Sequence, residues 1–188
     1  MTAETSLAAL RDRPFELLRE MERRARNSVG ADGSGLAETE WVGIAFRLGG
    51  ERFVASREEV REVMQCPPML TRVPGCRPWV AGLANVRGHL LTVVDLKAFL
   101  GGAATRPSRD TRIVVINHRE LGAGFLVDEI LGFRRFDESA QAEVRGDFTL
   151  RCEKFLAGAF RQADESWPVF SLAALTESPS FLRAAEDV

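Results

Sequence analysis

The feature that most constrains this chain is a series of short apolar segments separated by glycine and proline. In Val42–Leu48 every second residue is large and apolar, which is the period of a strand with one buried face. Gly49-Gly50 then supplies the positive φ of a tight hairpin turn, and Arg52–Ala55 returns as a second strand. Short strands with such turns predict a β-barrel or sandwich and not a parallel sheet with crossover helices.

The same pattern continues along the rest of the chain. Ser56 with Glu59 predicts a capping box, so we expect a turn of helix followed by a strand. One helical turn is expected at Pro78–Val80. Short helices are predicted at Leu96–Leu100 and Leu172–Leu175, capped by the residue before each. The remaining predicted strands are Leu83–Val86, Leu90–Val94, Ile113–Asn117, Ala123–Asp128, Ile130–Phe136, Phe155–Phe160 and Val169–Phe170.

The predicted organisation has three parts. Residues 1–38 form an N-terminal extension, in which Phe15–Arg26 is an amphipathic helix followed by a flexible linker. Residues 39–177 form the folded domain, with a linker near 101–110 that is rich in Gly, Ala, Pro and Ser. Because a run of strands lies on either side of that linker, two small barrels packed side by side are expected. Residues 178–188 form a C-terminal helical tail.

Charge and hydropathy exclude several classes of function. The chain has 25 basic and 27 acidic side chains, a net charge of −2, so no global basic face neutralises phosphates and we predict no nucleic-acid partner. No segment approaches the about 20 apolar residues of a membrane span, and the N-terminus has no targeting pattern. The sequence therefore predicts a cytoplasmic protein without direct membrane insertion.

Few residues are suited to catalysis. A Cys–His nucleophile needs a histidine beside a thiol, and the chain has only His89 and His118, both at predicted hairpin turns. Cys66, Cys76 and Cys152 are odd in number and match no metal spacing, so reduced and partly buried thiols are expected. No phosphate-binding glycine motif is present. We predict no catalytic residue, no cofactor and no metal.

Two aspartates have competing interpretations. Asp95 ends a predicted strand, like the phospho-acceptor of a receiver domain, but the acidic pair and lysine of such a site are missing. We therefore predict that Asp95 caps the helix that follows it. Asp128 and Glu129 are strand neighbours that point to opposite faces and cannot share a proton transfer. For Asp128 we expect a structural role at a strand end.

Three motifs occur in a family-specific order. They are Phe53-Val54-Ala55 with Val60-Arg61-Glu62-Val63, then the turn Gly82–Gly88 with a strand ending in Asp95-Leu96, then Gly124–Ile130. Together they resemble the CheW-like adaptor family over residues 40 to 176. The segments Pro14–Leu18 and Trp41–Gly50 resemble the type that serves type IV pilus chemosensory systems, which control twitching motility.

The resemblance implies both a fold and a function. The fold is all-β with short helices, built as two five-stranded SH3-like barrels packed side by side. The function is that of a non-enzymatic coupling protein, recruited to membrane-associated receptor arrays. Its partners are the cytoplasmic tip of a methyl-accepting chemoreceptor and the regulatory CheW-like domain of a histidine kinase. The alternatives are a coupling protein for flagellar chemotaxis, or a small all-β enzyme.

The resemblance also assigns a receptor-binding set and a structural turn glycine at position 88, while individual kinase contacts stay unknown. The receptor-binding residues are Val60, Glu62, Val63, Asn85, Arg87 and Leu90. For Arg87 two interpretations remain open. It contacts the receptor tip directly, or it forms an internal salt bridge with Glu62 and only shapes the turn.

Overall fold

The structure is a computed structural model that describes residues 40–184. The predicted extension of residues 1–38 and the last residues of the predicted tail lie outside the described residues. Eleven strands are described: β1 Glu40–Leu48, β2 Glu51–Ser56, β3 Val60–Gln65, β4 Val80–Val86, β5 His89–Asp95, β6 Arg112–Ile116, β7 Ala123–Val127, β8 Glu129–Asp137, β9 Gln141–Ala142, β10 Leu156–Gln162 and β11 Glu165–Phe170. The α-helices are α1 Leu96–Phe99, α2 Leu172–Thr176 and α3 Pro179–Leu182, and 3₁₀ turns cover Arg57–Glu59, Glu138–Ala140 and Glu153–Phe155.

The strands form two sheets with interleaved connections. The larger sheet has six strands in the order β8-β1-β2-β11-β10-β9, and the smaller has five in the order β3-β6-β7-β5-β4. Each sheet takes strands from both sides of residues 101–110. The expectation that each run of strands builds its own barrel is therefore wrong. Strands from the two runs pair with one another within each sheet.

Each sheet curls until strands at or near its two edges approach one another. In the six-stranded sheet the Gln162 amide on β10 donates to the Arg135 carbonyl of β8 over 3.1 Å. In the five-stranded sheet Arg87, after β4, lies 3.2 Å from Glu62 of β3. Within residues 40–184 no strand pair closes either sheet into a ring. The predicted class, all-β with short helices, is confirmed, but the barrels are curled sheets of six and five strands.

Three apolar clusters follow from the two-residue period of the strands. On β1, Ile44, Phe46 and Leu48 face a core that both sheets share, since Val114 and Phe125 of the smaller sheet belong to it. The opposite face of the larger sheet packs on its own cluster, which includes Ala45, Val54, Phe136, Phe160 and Trp167. The smaller sheet has a matching cluster of Ala84, Leu91, Val93, Ile113, Val115 and Leu126.

The short helices are fixed at the edges of the shared core. Asp95 caps α1 by accepting from the Ala98 amide over 3.1 Å, as predicted. The same carboxylate accepts from the Thr105 amide and hydroxyl, at 2.6 and 2.9 Å, and so fastens the loop of residues 101–110. Ser171 caps α2 as predicted. The Glu59 carboxylate also accepts from the Leu172 amide over 2.9 Å, which joins the 3₁₀ turn before β3 to that helix.

Two local predictions differ from the structure. The helical turn expected at Pro78–Val80 is wrong, because residues 78–79 form a hydrogen-bonded turn and Val80 already begins β4. The sequence predicts no strand between Phe136 and Phe155, whereas the structure has β9 there, paired with Ala159 and Phe160 of β10. A two-residue strand carries too short a pattern to be distinguished from loop in a sequence.

Candidate interaction surface

The hairpin between β4 and β5 carries the most specific motif of the sequence. Arg87 and Gly88 form its two-residue turn, with φ of 52° and 85°. Two successive positive φ values are those of a type I′ turn, which matches the twist of a hairpin. The Asn85 side chain accepts a hydrogen bond from the Gly88 amide over 2.9 Å. A Cβ at Gly88 would meet nothing within 4 Å, so backbone conformation and not space favours glycine there.

Arg87 combines both roles that the sequence left open. Its guanidinium lies 3.2 Å from the Glu62 carboxylate, so it forms the internal ion pair. Its side chain is nevertheless 82% exposed, whereas that of Glu62 is 25% exposed. A guanidinium has five N–H donors in a planar fork, and one carboxylate contact leaves several of them facing solvent. The pair therefore orients Arg87 while keeping it accessible to a partner.

An exposed apolar side chain follows the turn on β5. Leu90 is 70% exposed and stands directly opposite Asn85 in the β4–β5 register, so both side chains lie on one face of the hairpin. Single exposed apolar residues are common on protein surfaces. Here the leucine stands opposite a polar amide on a hairpin whose turn carries the oriented guanidinium, and this combination suits the recognition of an amphipathic surface.

The predicted residues of β3 do not all share this surface. A bulge between Val60 and Glu62 leaves Glu62 opposite Val115 and Val63 opposite Val114, so neighbouring side chains point to opposite faces. Val63 is 37% exposed and lies on the face of the shared core. Val60 is only 1% exposed within that core. Its assignment as a receptor contact is therefore corrected to a core position.

Asp128 has the structural role that we expected of it. Its carboxylate accepts from the Lys97 ammonium over 2.9 Å, with both side chains less than one-fifth exposed. It also accepts from the Gly49 amide in the β1–β2 turn. One carboxylate thus joins α1, the β7–β8 connection and the first hairpin. Nothing in the sequence identifies Lys97 as the partner of Asp128, because the two residues are 31 positions apart.

The thiol and imidazole groups are not arranged for nucleophilic catalysis. Cys152 is fully buried in the shared core, and burial, with the charges of Glu51 and Glu153 adding to it, raises the pKa of its thiol to about 12. The thiolate is the nucleophilic form, so this cysteine is unreactive near neutral pH. The His118 Nδ1 accepts from the Glu120 and Leu121 amides and so stabilises a turn.

The described residues hold neither a metal-ligand cluster nor, at Asp95, a carboxylate free to accept a phosphoryl group. No group of three or more potential ligands that could hold a metal ion occurs among the described residues. The Asp95 side chain is 5% exposed and its two oxygens accept three hydrogen bonds from Ala98 and Thr105. A carboxylate held in this way acts as a helix cap and a loop fastener.

Comparison with known proteins defines the class. The CheW-like domain family matches residues 42–180, which is most of the chain. The protein therefore belongs to the CheW-like domain family.

Individual relatives agree with this assignment. The chain is 37% identical to Protein PilI of Pseudomonas aeruginosa over 173 residues, which cover 92% of this chain and 96% of the relative. It is 33% identical to Chemotaxis protein CheW of Bacillus subtilis over 86 residues, covering 46% of this chain and 54% of the relative.

A solved structure supports the fold. The scaffolding protein CheW of Thermoanaerobacter tengcongensis matches with a TM-score of 0.65 at 24% identity, covering 76% of this chain and 96% of that chain. Among the described residues, no helix has the length and apolar character needed to cross a bilayer.

Proposed function

We propose that this protein is a non-enzymatic chemosensory coupling protein that links methyl-accepting receptors to a histidine kinase and acts in the control of type IV pili and twitching motility. In this role it works in the cytoplasm and is recruited to receptor arrays at the membrane. Its partners are the cytoplasmic tip of a chemoreceptor and the CheW-like regulatory domain of the kinase. The observation that carries the proposal is the likeness to PilI along nearly the full length of both chains.

The hairpin surface supports the receptor part of this proposal. A helical receptor tip needs apolar contacts and a few polar groups that set its register. Leu90 offers the apolar contact, and Arg87 offers several free N–H donors that the Glu62 pair keeps oriented. Asn85 lies on the same face as Leu90, but its side-chain oxygen is already engaged by the turn. We therefore propose Arg87 and Leu90 as the main receptor contacts, with Glu62 positioning the guanidinium.

A role in flagellar chemotaxis is the second candidate, because relatives named CheW match about half of this chain. The two roles differ in the kinase and not in the fold. The test is calorimetry of the full chain with the CheW-like regulatory domain of a pilus-type kinase, and in parallel with that of a swimming-type kinase, both from the same genome.

The outcomes separate the candidates. Specific binding to the pilus-type domain supports the proposal, and binding to the swimming-type domain alone moves the protein to the other pathway. Binding to neither domain, together with no recruitment to receptor arrays, overturns the coupling role. Arg87→Glu serves as the receptor variant, and we expect it to lose receptor recruitment while keeping the circular dichroism spectrum of the parent.

A further inference from the structure

A second surface lies away from the β4–β5 turn, in a cleft between residues 70–81 and the loop of residues 104–107. The cleft has a volume of about 480 Å³. That lies in the range of about 300 to 1,000 Å³ found for ligand sites. Its walls come from two loops and its floor from β4, β5 and β7. Of its lining residues, Asp95 and Leu126 belong to the motifs described above.

The part of the chain that builds this cleft is strongly biased in charge. Residues 66–109 contain six basic side chains and a single acidic one, Asp95, although the whole chain has a net charge of −2. Asp95 lies at the cleft floor, 5% exposed, and its oxygens are bonded by Ala98 and Thr105. The lining itself combines two arginines, Arg72 and Arg77, with one buried carboxylate whose oxygens are already bonded.

Three of the six basic side chains in residues 66–109 already form an ion pair with a carboxylate. Arg87 contacts Glu62, Lys97 contacts Asp128, and Arg109 contacts Asp110.

Two other arginines lie here, one in the cleft wall and one beside it. Arg72 lines one wall, and Arg106 belongs to the opposite loop, between the lining residues Thr105 and Pro107, without itself lining the cleft. Both are exposed, and within residues 40–184 neither has an ion-pair partner. The Arg72 guanidinium in one wall, with Arg106 in the loop that forms the other, suits carboxylates, which guanidinium groups bind in a bidentate manner.

The cleft also has an apolar component. Its lining includes Leu70, Val73, Val80, Ala81 and Leu126. A bare anion gains nothing from such side chains, whereas a peptide with an apolar side chain between carboxylates uses both the floor and the rim. Charge and apolar lining thus point to the same kind of ligand.

We propose that this cleft binds an acidic, extended segment of a partner protein, with carboxylates on Arg72 and Arg106 and an apolar side chain on the floor. The site is separate from the Arg87 hairpin turn. It gives the protein a second contact surface besides the hairpin surface, and its existence does not depend on the proposed pathway.

The test uses the full chain and a fluorescein-labelled eight-residue peptide in which aspartate and glutamate alternate with leucine and valine. Binding is followed by fluorescence anisotropy at several salt concentrations. We expect Arg72→Glu and Arg106→Glu each to weaken binding about tenfold, as for the loss of one charge-assisted contact. Added salt should weaken binding by the parent chain.

The matched control is Arg119→Glu, which makes the same change of charge on an exposed residue beyond the far end of β6. It should leave the affinity within about twofold of the parent, since a surface charge more than a Debye length away is screened. A peptide with serine in place of leucine and valine should bind more weakly than the parent peptide. An equal loss in Arg119→Glu, or no effect of the serine peptide, overturns the proposed site.

A chain that ends at Ala184 provides the remaining comparison. The Arg77 amide donates to the Ala184 carbonyl over 2.9 Å, so the acidic residues Glu186 and Asp187 follow directly after a residue bonded to the cleft wall. If the peptide binds only to the shortened chain, the site belongs to the protein's own C-terminal residues and the proposal of a partner segment is wrong. Equal binding by both chains supports it.

Discussion

The guanidinium of Arg87 lies 3.2 Å from the carboxylate of Glu62, although β3 and β4 stand at opposite ends of the strand order in their sheet. The pair therefore joins the two outer strands of a curled sheet and at the same time orients the exposed arginine of the β4–β5 turn. These two roles are separable by experiment, because an exposed ion pair contributes little to stability whereas an oriented donor matters to a partner.

Charge reversal at Arg87 is expected to affect binding far more than folding. For Arg87→Glu we expect receptor affinity to fall about tenfold, as for one lost charge-assisted contact. The free energy of unfolding should change by less than about 1 kcal/mol, the usual range for an exposed pair. Pull-down with a receptor tip and urea denaturation measure the two effects.

The reciprocal variant Glu62→Arg with Arg87→Glu is the control. It restores the attraction between the two positions but puts a carboxylate where the partner meets a guanidinium. Stability should return to that of the parent, while receptor binding stays weak. Recovery of binding in the double variant would show that only the ion pair matters.

Removal of the Asp128 carboxylate is expected to destabilise the domain. Asp128→Ala leaves the Lys97 ammonium and the Gly49 amide without their acceptor, and the lysine side chain is only 18% exposed. We expect a loss of about 2 to 3 kcal/mol in the free energy of unfolding. Urea denaturation measures it.

The neighbouring pair between Arg47 and Glu129 offers a matched control. Its side chains are 44% and 38% exposed, so Glu129→Ala should cost less than about 1 kcal/mol. Equal losses in the two variants would contradict the view that Asp128 is the connecting residue.

The C-terminal helix α3 is expected to stabilise the shared core through one side chain. Phe181 is 6% exposed and stacks on Trp79 with 5.9 Å between ring centroids. Phe181→Ala should cost about 3 to 4 kcal/mol and alter tryptophan fluorescence. Leu182→Ala, at a side chain that is 66% exposed, should change stability by less than about 0.5 kcal/mol. Thermal denaturation compares the two.

Alkaline pH is expected to destabilise the protein partly through Cys152. Because the folded state raises the pKa of this thiol to about 12, the unfolded chain releases the proton first as pH rises. The stability that the protonated, buried Cys152 thiol contributes is fully present below pH about 9, the ordinary thiol pKa. It is lost as the pH rises toward about 12. The chain has no tyrosine that would titrate in the same interval.

Urea midpoints of the parent and of Cys152→Ala, measured between pH about 8 and about 11, test this. The variant is less stable at every pH, since it leaves a cavity in the core. The difference in urea midpoint between the parent and Cys152→Ala should shrink as the pH rises. A constant difference would contradict the assignment. Cys66, whose thiol pKa is also raised by burial, titrates in both proteins and cancels from the comparison.

Local features of this fold are predictable from the sequence because their determinants lie within a few residues. Asp95 caps a helix whose bonded amide is three residues away, and Arg87-Gly88 forms a turn closed by Asn85. The alternation in β1 likewise reports directly which side chains meet the shared core. In each case one short pattern specifies one conformation.

Long-range features are not accessible in the same way. The sequence predicts that Glu59 belongs to a capping box at Ser56. In the structure its carboxylate accepts a hydrogen bond from the Leu172 amide, 113 residues away. Val60 belongs to a motif that the resemblance assigns to receptor binding, but burial is decided by strands β6 and β7, which come later in the chain. Such contacts depend on the order of strands, and neither periodicity nor composition encodes that order.

The interleaved strand order has a consequence for how this protein is made. When residue 105 has left the ribosome, β1–β5 are complete, but β1 and β2 still lack their neighbours β8 and β11, and β3 and β5 lack β6 and β7. The five-stranded sheet can be completed only after β7, ending at Val127, and the six-stranded sheet only after β11, ending at Phe170. The nascent chain therefore carries unpaired apolar strands through most of translation, and such strands invite aggregation. Slow synthesis late in the message, or loss of a chaperone, should reduce soluble yield more than any single surface substitution.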